Sequence, residues 1–515
     1  MQSNINVYVI NLDHELYKWN NFLKNNNSYS TIFNFIRFSA INIPENPVKG
    51  CFLSHLKVAE INKTLNNKYY IVFEDDCIIK PSQIENITII LKFLTDNNNW
   101  HIFNGNPNCR LLKRDFKIVT PLHKFISVKN GKSSNFLIVN TSINLWEYLY
   151  KIDELFNNDN IVPFDKFISN TFQIITFYPY ITLQAPGYSS IRCEYVDYTI
   201  PINNSESFIH NFINNRTLHL YFQGRLGNRL FQLFTALRYA FKFNYYIKCY
   251  SIKPIVYKSE VLNKIPTHNL EKNIELYPLT EINDEEIFEI MKFNNYNSSI
   301  LFNGYFQNYH NFRKYKDQII KYLNLNTDLI NIKNNIQIYD KNINNTDIVG
   351  IHLRRTDYIK KNKTYIYYSF EQCYKKALII KKDYDIIDRK FKIIIFSDDI
   401  NYCKNEVNEY KNKLYDDIDH NTDLNTKLDG QYLVDVENII NFDKNFIYFD
   451  QNEKQTFETM MQLKFFILSN STFSWMAAFL SNKIKRGYMP EKWLTFTEKN
   501  PDIPHPRVTI SNFKF

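Results

Sequence analysis

Twice along the chain, short apolar runs alternate with stretches of helical spacing, and this alternation restricts the fold more than any other feature. Ile5 to Asp13 (INVYVINLD) has the continuous apolar character of a buried strand, and Glu15 to Lys24 is amphipathic. Lys49 to Asn67 carries helical spacing, Tyr69 to Ile79 (YYIVFEDDCII) reads as one strand, and Pro81 to Thr95 is helical again. Strands alternating with helices predict an α/β unit on a mostly parallel sheet. Between Asp197 and Asn215 the periodicity fades into Asn- and Ser-rich sequence, which predicts a boundary: a first domain over 1–205, a linker over 206–216 and a second domain over 217–515. The second domain restarts the pattern with a strand from Thr217 to Gln223, a turn from Gly224 to Asn228 and a helix to about Lys242. Further strands are expected at Asp347 to Leu353, Phe391 to Ser397 and Phe446 to Phe449, with a closing helix from Gln455 to Leu480.

Length supports the division, because 515 residues exceed what one core accommodates, roughly 250–300 residues. The net charge of +9 is spread among acids rather than gathered into runs, which argues against a nucleic-acid partner. Seven widely spaced cysteines with no C-x-x-C pair point to a reducing compartment and away from structural zinc. No run approaches the ~20 apolar residues of a membrane span, and the first residues carry no signal pattern, so a cytoplasmic protein is expected.

Three consecutive carboxylates, Glu74-Asp75-Asp76, follow the apolar run YYIVF. In a parallel sheet the C-terminal strand ends face the ligand crevice, and hard cations such as Mg2+ or Mn2+ take oxygen ligands from one or two acids plus substrate phosphates. A solvated turn or a helix cap is the competing reading of the same residues. Other segments, in order, carry a resemblance: Ile10-Asn11-Leu12-Asp13, Gly50-Cys51-Phe52-Leu53-Ser54-His55, the acids themselves, Pro163-Phe164-Asp165, and Gln184 to Ile191. Together they resemble glycosyltransferase family 25, the lipopolysaccharide and collagen sugar transferases. The resemblance implies a GT-A fold of Rossmann type, a UDP-hexose donor (UDP-galactose or UDP-glucose), and Mn2+ held by Asp76 and Glu74. It implies donor contacts from Asn11, Asp13, Glu74 and Asp75. Asp165 is then either the general base or a helix cap, and His55 either a donor-site group or a structural histidine.

In the second half, Gly224 to Gln232 (GRLGNRLFQ) lies between a strand and a helix, where backbone N–H groups receive phosphate. His352-Leu353-Arg354-Arg355-Thr356-Asp357-Tyr358 follows an apolar strand, and its guanidinium forks suit phosphate without a metal. With Asn303 to Gln307 (NGYFQ), Phe396-Ser397-Asp398-Asp399, Ser469 to Trp475 (SNSTFSW) and Pro490 to Trp493, these segments resemble glycosyltransferase family 11, the α-1,2-fucosyltransferases. That resemblance implies a GT-B fold of two facing α/β lobes, GDP-fucose as donor, and no metal. It assigns GDP to His352, Arg354 and Arg355, donor contacts to Ser471 and Thr472, and shaping of the cleft to Gly227 and Asn228. Asp357 is either a base or the partner of Arg355, and Asp398 and Asp399 either contact guanine or cap a helix. Arg229, Thr356 and Met476 depart from the family pattern. The joint expectation is a bifunctional enzyme acting on a glycan or glycoprotein acceptor; its rival is one catalytic domain fused to a non-catalytic sugar-binding module.

Overall fold

The computed structural model describes residues 5–63, 65, 67–109, 116–155, 162–189, 191–192, 194–251, 267–268, 277–279, 299–302, 304–307, 312–323, 348–360, 365–384, 386, 391–420, 442–490 and 508–511. The chain forms two compact units, one built chiefly on Met1–Leu218 and the other chiefly on His219–Tyr239 and Ile300–Phe515. Both are α/β.

The first unit is organised by an eight-stranded sheet in the order Phe33–Ser39, Ile5–Asn11, Tyr69–Glu74, Phe136–Asn140, Ile102–Asn104, Ile174–Phe177, Phe125–Val128, Phe116–Ile118. The strands of the opening segments pair in parallel, as their alternation with helices predicts, but Phe136–Asn140 runs antiparallel to both of its neighbours. The sheet is therefore mixed, not mostly parallel. Both faces are covered, and the alternation of side chains along a strand assigns them. Ile71 and Phe73 enter a core with Val7, Val9, Phe22, Ile87 and Leu94, whereas Tyr70 and Val72 enter another with Phe52, Leu56, Leu145 and Ile168. Helices Leu16–Asn26 and Ile84–Asp96 contribute to the first core and helices Pro47–Lys63 and Phe164–Thr171 to the second.

Two expectations change in this unit. Tyr69 to Ile79 is not one strand: it stops at Glu74, turns through Asp75 and Asp76, and resumes as Cys77–Ile79 in a different sheet, paired antiparallel with Thr182–Gln184. The carboxylates end the strand YYIVF, as their place after that run predicts; what changes is that Cys77–Ile79 does not continue it. The stretch expected as a linker is helical from Thr199 to Asn214, burying Ile202, Ser205, Ile209 and Ile213. That spacing is one helical face; Asn and Ser fill the remaining positions and disguise it.

The second unit holds a six-stranded sheet in the order Phe446–Phe449, Lys392–Ser397, Ile348–Leu353, Phe465–Ile467, Arg486–Pro490, Val508–Ser511, with every pairing parallel. Its core gathers Val349, Ile351, Leu353, Ile393, Ile395 and Ile467 against Phe370, Ala377 and Ile380 of helix Phe370–Asp383. A five-stranded sheet runs Thr267–His268, Tyr246–Ser251, Thr217–Phe222, Ile300–Phe302, Tyr277–Leu279. The helix expected from Gln455 to Leu480 is two helices, Glu453–Gln462 and Thr472–Leu480, with strand Phe465–Ile467 between them. Asn452 and Ser471 cap the two helices by accepting from Gln455 N and Phe473 N, so each start is fixed locally.

Candidate active sites

In the first unit the acids stand at the C-terminal ends of parallel strands. Ile10 pairs in register with Glu74, which puts Asn11 beside the turn of acids. Asn11 Nδ2 donates to Asp75 Oδ2 at 2.7 Å and to Glu15 O at 3.1 Å, while its Oδ1 accepts from Arg37 Nε at 2.8 Å. Arg37 also pairs with Asp13 at 2.6 Å, and Ser39 Oγ donates to the other Asp13 oxygen at 2.6 Å. Those partners hold the Asp13 carboxyl below its usual range, the Ser39 hydroxyl first and then Arg37. Asn11, Asp13 and Asp75 thus belong to one network, joined by Arg37, which sequence reasoning did not single out.

Asp76 points elsewhere. Its Oδ2 accepts from Gln184 Nε2 at 2.8 Å, and its backbone O accepts from Ala185 N at 2.7 Å. Its Oδ1 is buried and has no hydrogen-bond partner. Burial first, then the neighbouring charge of Glu74, push the Asp76 carboxyl up to about 8. Burial likewise raises Asp75 to about 6, against the pull of Asn11 and Lys18. Glu74 behaves differently: burial would raise it, but His55 and the Ser134 hydroxyl hold it below its usual value. An ionised carboxylate with a bare, buried oxygen is costly unless a cation or a proton meets it, so the donor set at Asp76 and Glu74 fits a hard divalent ion.

Asp165 lies in the first turn of helix Phe164–Thr171; its Oδ1 accepts from Lys166 N at 2.7 Å and its Oδ2 from Ser133 N at 3.3 Å. It joins the acid cluster electrostatically, since Glu74, Asp165 and Asp76 all act on the half-buried Cys51 thiol, which loss of solvent foremost pushes up. His55 is buried and stacks on Phe164 at 3.9 Å between ring centroids.

In the second unit, residues distant in sequence converge behind strand Ile348–Leu353. Arg354 pairs with Asp357 at 2.8 Å and with Asp398 at 2.9 Å. The partner of Asp357 is therefore Arg354; Arg355 turns inward, 2% exposed, with its Nε 2.7 Å from Glu406 and its guanidinium 4.7 Å from the centre of the Tyr367 ring. Burial alone would lower Arg355; the facing Glu406 and Tyr367 reverse that. Asp398 accepts from Arg355 N at 2.7 Å, from Thr356 N at 3.4 Å and from the Thr356 hydroxyl, so its carboxylate caps the start of the short helix Thr356–Lys360. Although burial opposes it, Arg354 and these donors keep the Asp398 carboxyl below its usual range. Asp399 accepts from Tyr402 N at 3.0 Å. Of the two readings for these acids, capping is the one with hydrogen bonds behind it.

His352 is buried, and its Nδ1 shares a 2.7 Å hydrogen bond with Ser469 Oγ. Burial, then Arg354, drive its pKa to about 3, so the imidazole is neutral. Asn228 Oδ1 accepts from Thr472 Oγ1 and from Gln307 Nε2, each at 2.8 Å. A Cβ on Gly227 would lie 2.5 Å from Phe473 N and from Thr472 C, so this glycine permits close packing of backbone on the start of helix Thr472–Leu480. Gly224, at φ +71°, supplies the turn. Ser471 is occupied as the cap of that helix. Glu453 has one buried oxygen without a hydrogen bond and faces Arg225, Arg229 and Arg354. Sequence reasoning missed Glu406 and Glu453, for which no motif spacing gave a signal. Asn303 and Glu491-Lys492-Trp493 lie outside the described residues.

Comparison with known proteins agrees with both resemblances. Residues 46–147 match the family described as "Glycosyltransferase family 25 (LPS biosynthesis protein)", and residues 215–427 match "Glycosyl transferase family 11". The first match includes Gly50 to His55 and the three acids; the second includes the Gly227 loop, Arg354-Arg355 and Asp398. Among curated proteins the chain is similar to the O-antigen biosynthesis glycosyltransferase WbnK of Escherichia coli, 26% identical over 201 residues, 38% of this chain. The chain spans 56% of that relative's length. Among solved structures, fucosyltransferase NodZ from Bradyrhizobium is matched at 10% identity with a TM-score of 0.27, over 53% of this chain and 95% of that one. Arabidopsis thaliana FUT1 in complex with GDP gives 10% and 0.29, over 57% and 72%. A glycosyltransferase involved in glycosylation of the major capsid of PBCV-1 gives 11% and 0.25, over 40% and 100%. The chain thus carries, in order, segments that match two glycosyltransferase families. The family 25 segment lies in the first unit, and the family 11 segment begins at the last residues before the second.

Proposed function

We propose that the chain is a bifunctional glycosyltransferase in which the first unit, of GT-A type, transfers galactose or glucose from a UDP-sugar. The second unit, of GT-B type, transfers fucose from GDP-fucose in α-1,2 linkage to a glycan or glycoprotein acceptor. The observation that carries the reading is the contrast in charge between the sites. In the first, Asp76 presents a bare buried oxygen among acids; in the second, Arg354 is already balanced by Asp357 and Asp398. The reading includes a cytoplasmic location, for which the absence of a long apolar helix among the described residues is compatible and no more.

In the first unit, Asp76 and Glu74 would hold Mn2+, which supplies Lewis-acid stabilisation of the departing diphosphate. Gln184 fixes the rotamer of Asp76 through the other oxygen, leaving Oδ1 available. Asn11 orients Asp75, and Arg37 orients Asn11. Asp165, whose carboxylate accepts from the backbone N–H groups of Lys166 and Ser133, accepts the acceptor hydroxyl proton.

In the second unit, Arg354 turns from carboxylate to diphosphate, since a guanidinium fork serves either oxyanion. That exchange releases Asp357, 37% exposed, to take a proton from the acceptor. Arg355 does not reach the donor on this reading; held by Glu406, it positions the segment that carries Arg354. Neutral His352 fixes Ser469, and Asn228 ties Thr472 to Gln307.

The test is a panel of sugar nucleotides with Mn2+ or EDTA, scored for transfer. GDP-fucose turnover that survives EDTA, beside UDP-hexose turnover that EDTA stops, is the expected result. Consumption of one donor only, across a broad acceptor panel, would replace this reading with one catalytic unit and one binding module.

A further inference from the structure

Next to the acid turn, the first unit gathers donor atoms of a different chemistry. Cys51 and His55 are four residues apart on helix Pro47–Lys63, hence on one face of it. Cys51 Sγ, one His55 ring nitrogen and a Glu74 carboxylate oxygen all lie within 4.8 Å of one another. His55 is 3% exposed, and its ring is held flat against Phe164 with 10° between the planes. Its Nε2 sits 3.5 Å from Glu74 Oε1, at ion-pair distance but without hydrogen-bond geometry, so a buried nitrogen faces the carboxylate inside the cluster. The Ser134 hydroxyl donates to the same Glu74 Oε1 and orients the carboxylate, as ligating carboxylates commonly are oriented.

Sulfur, imidazole nitrogen and carboxylate oxygen form a mixed set that hard cations such as Mg2+ and Mn2+ do not favour and zinc-class ions do. Zinc-to-ligand distances of about 2.0–2.3 Å place tetrahedral ligands roughly 3.3–3.8 Å apart, so the three atoms need to draw together by at most about 1.5 Å. Three protein ligands with a fourth position open is an ordinary zinc arrangement. We propose that Cys51, His55 and Glu74 form a site for a soft divalent cation of the zinc class. The absence of C-x-x-C spacing argued against zinc from sequence, but a Cys and a His one helical turn apart, facing a strand end, meet the same need. Glu74 belongs to this set and to the oxygen set at Asp76. Where the proposed hexosyl transfer holds, a soft ion here withdraws Glu74 and inhibits the first unit alone.

The experiment is a Co2+ titration of the full chain, without Mn2+ or donor, followed by the thiolate-to-cobalt charge-transfer band in the near ultraviolet. One equivalent is expected to develop the band, and Zn2+ to displace it. Cys51→Ser is expected to abolish the band, His55→Ala to weaken Co2+ binding by about 10-fold or more, and Asp76→Asn to retain it. A thermal melt of each variant confirms folding, and Glu74→Gln serves where His55→Ala fails it. No band in the wild type, or a band retained by Cys51→Ser, overturns the site. A band with no hexosyl transfer under any condition leaves the site standing and counts against the proposed function instead.

Discussion

The two units treat charge in opposite ways. Around the acid turn of the first, carboxylates outnumber their cationic partners: Asp75 and Asp76 are pushed upward and a buried oxygen is left bare. Behind strand Ile348–Leu353 of the second, each of the two arginines has a carboxylate of its own, Arg354 with Asp357 and Asp398, Arg355 with Glu406. A site short of positive charge calls for a cation from solution; a site whose charges are already balanced works by exchanging partners. Removing a carboxylate should therefore relieve the first unit and damage the second.

The sharpest way to break this contrast is Glu406→Ala. It strands a buried guanidinium, and breaking a buried pair costs about 3–5 kcal/mol, so a denaturant melt should lose most of the second unit's stability. An unchanged melt would mean that Arg355 finds water. Close in size, Asp76→Asn should lower hexosyl transfer about 10²–10³-fold while leaving fucosyl transfer intact, and Arg354→Ala should do the reverse, magnitudes typical of removing one charge-stabilising group. Loss of both transfers in either variant would erase the separation between the sites. Gly227→Ala should cost about 1–3 kcal/mol, as overpacking does, because its methyl would meet Thr472 and Phe473 backbone; the loss should be visible in a melt without any nucleotide.

A last test concerns pH. The Asp76 carboxyl stands at about 8 in the fold against about 3.9 when unfolded. Being raised, it contributes stability that is fully present below pH ~4 and lost as pH rises toward 8. Glu74, lowered, acts below that window. In EDTA, Asp76→Asn should therefore gain on the wild type between pH ~4 and ~8, and added Mn2+ should cancel the gain. A difference in melting temperature that stays flat across the range would show that Asp76 is solvated.

How much of this was legible follows from what sequence can express. Apolar runs betrayed the strands at Tyr69, Thr217, Ile348 and Lys392, because both faces of each are buried. Strand Phe465–Ile467 is three residues long and sits between two helices, so its apolar residues passed as helical spacing. Helix Thr199–Asn214 hid for the opposite reason, a thin apolar face in polar sequence. In the sites, residues within motifs were visible, Gln184 among them, but the pairing of Gln184 with Asp76 and of Glu406 with Arg355 is long-range and encoded by no local spacing. Some motif residues also serve the architecture: Ser471 and Asp399 are helix caps, and Arg355 faces the core.

The close approach at Gly227 reaches beyond this chain. Glycines in loops between a strand and a helix are routinely taken as marks of phosphate binding, yet here the space a side chain would need is filled by main chain of the same unit. In a mutational scan every replacement at 227 would score as loss of function, and a reader of that scan would infer a ligand. The intolerance would be steric, present in the empty protein and indifferent to which sugar is transferred.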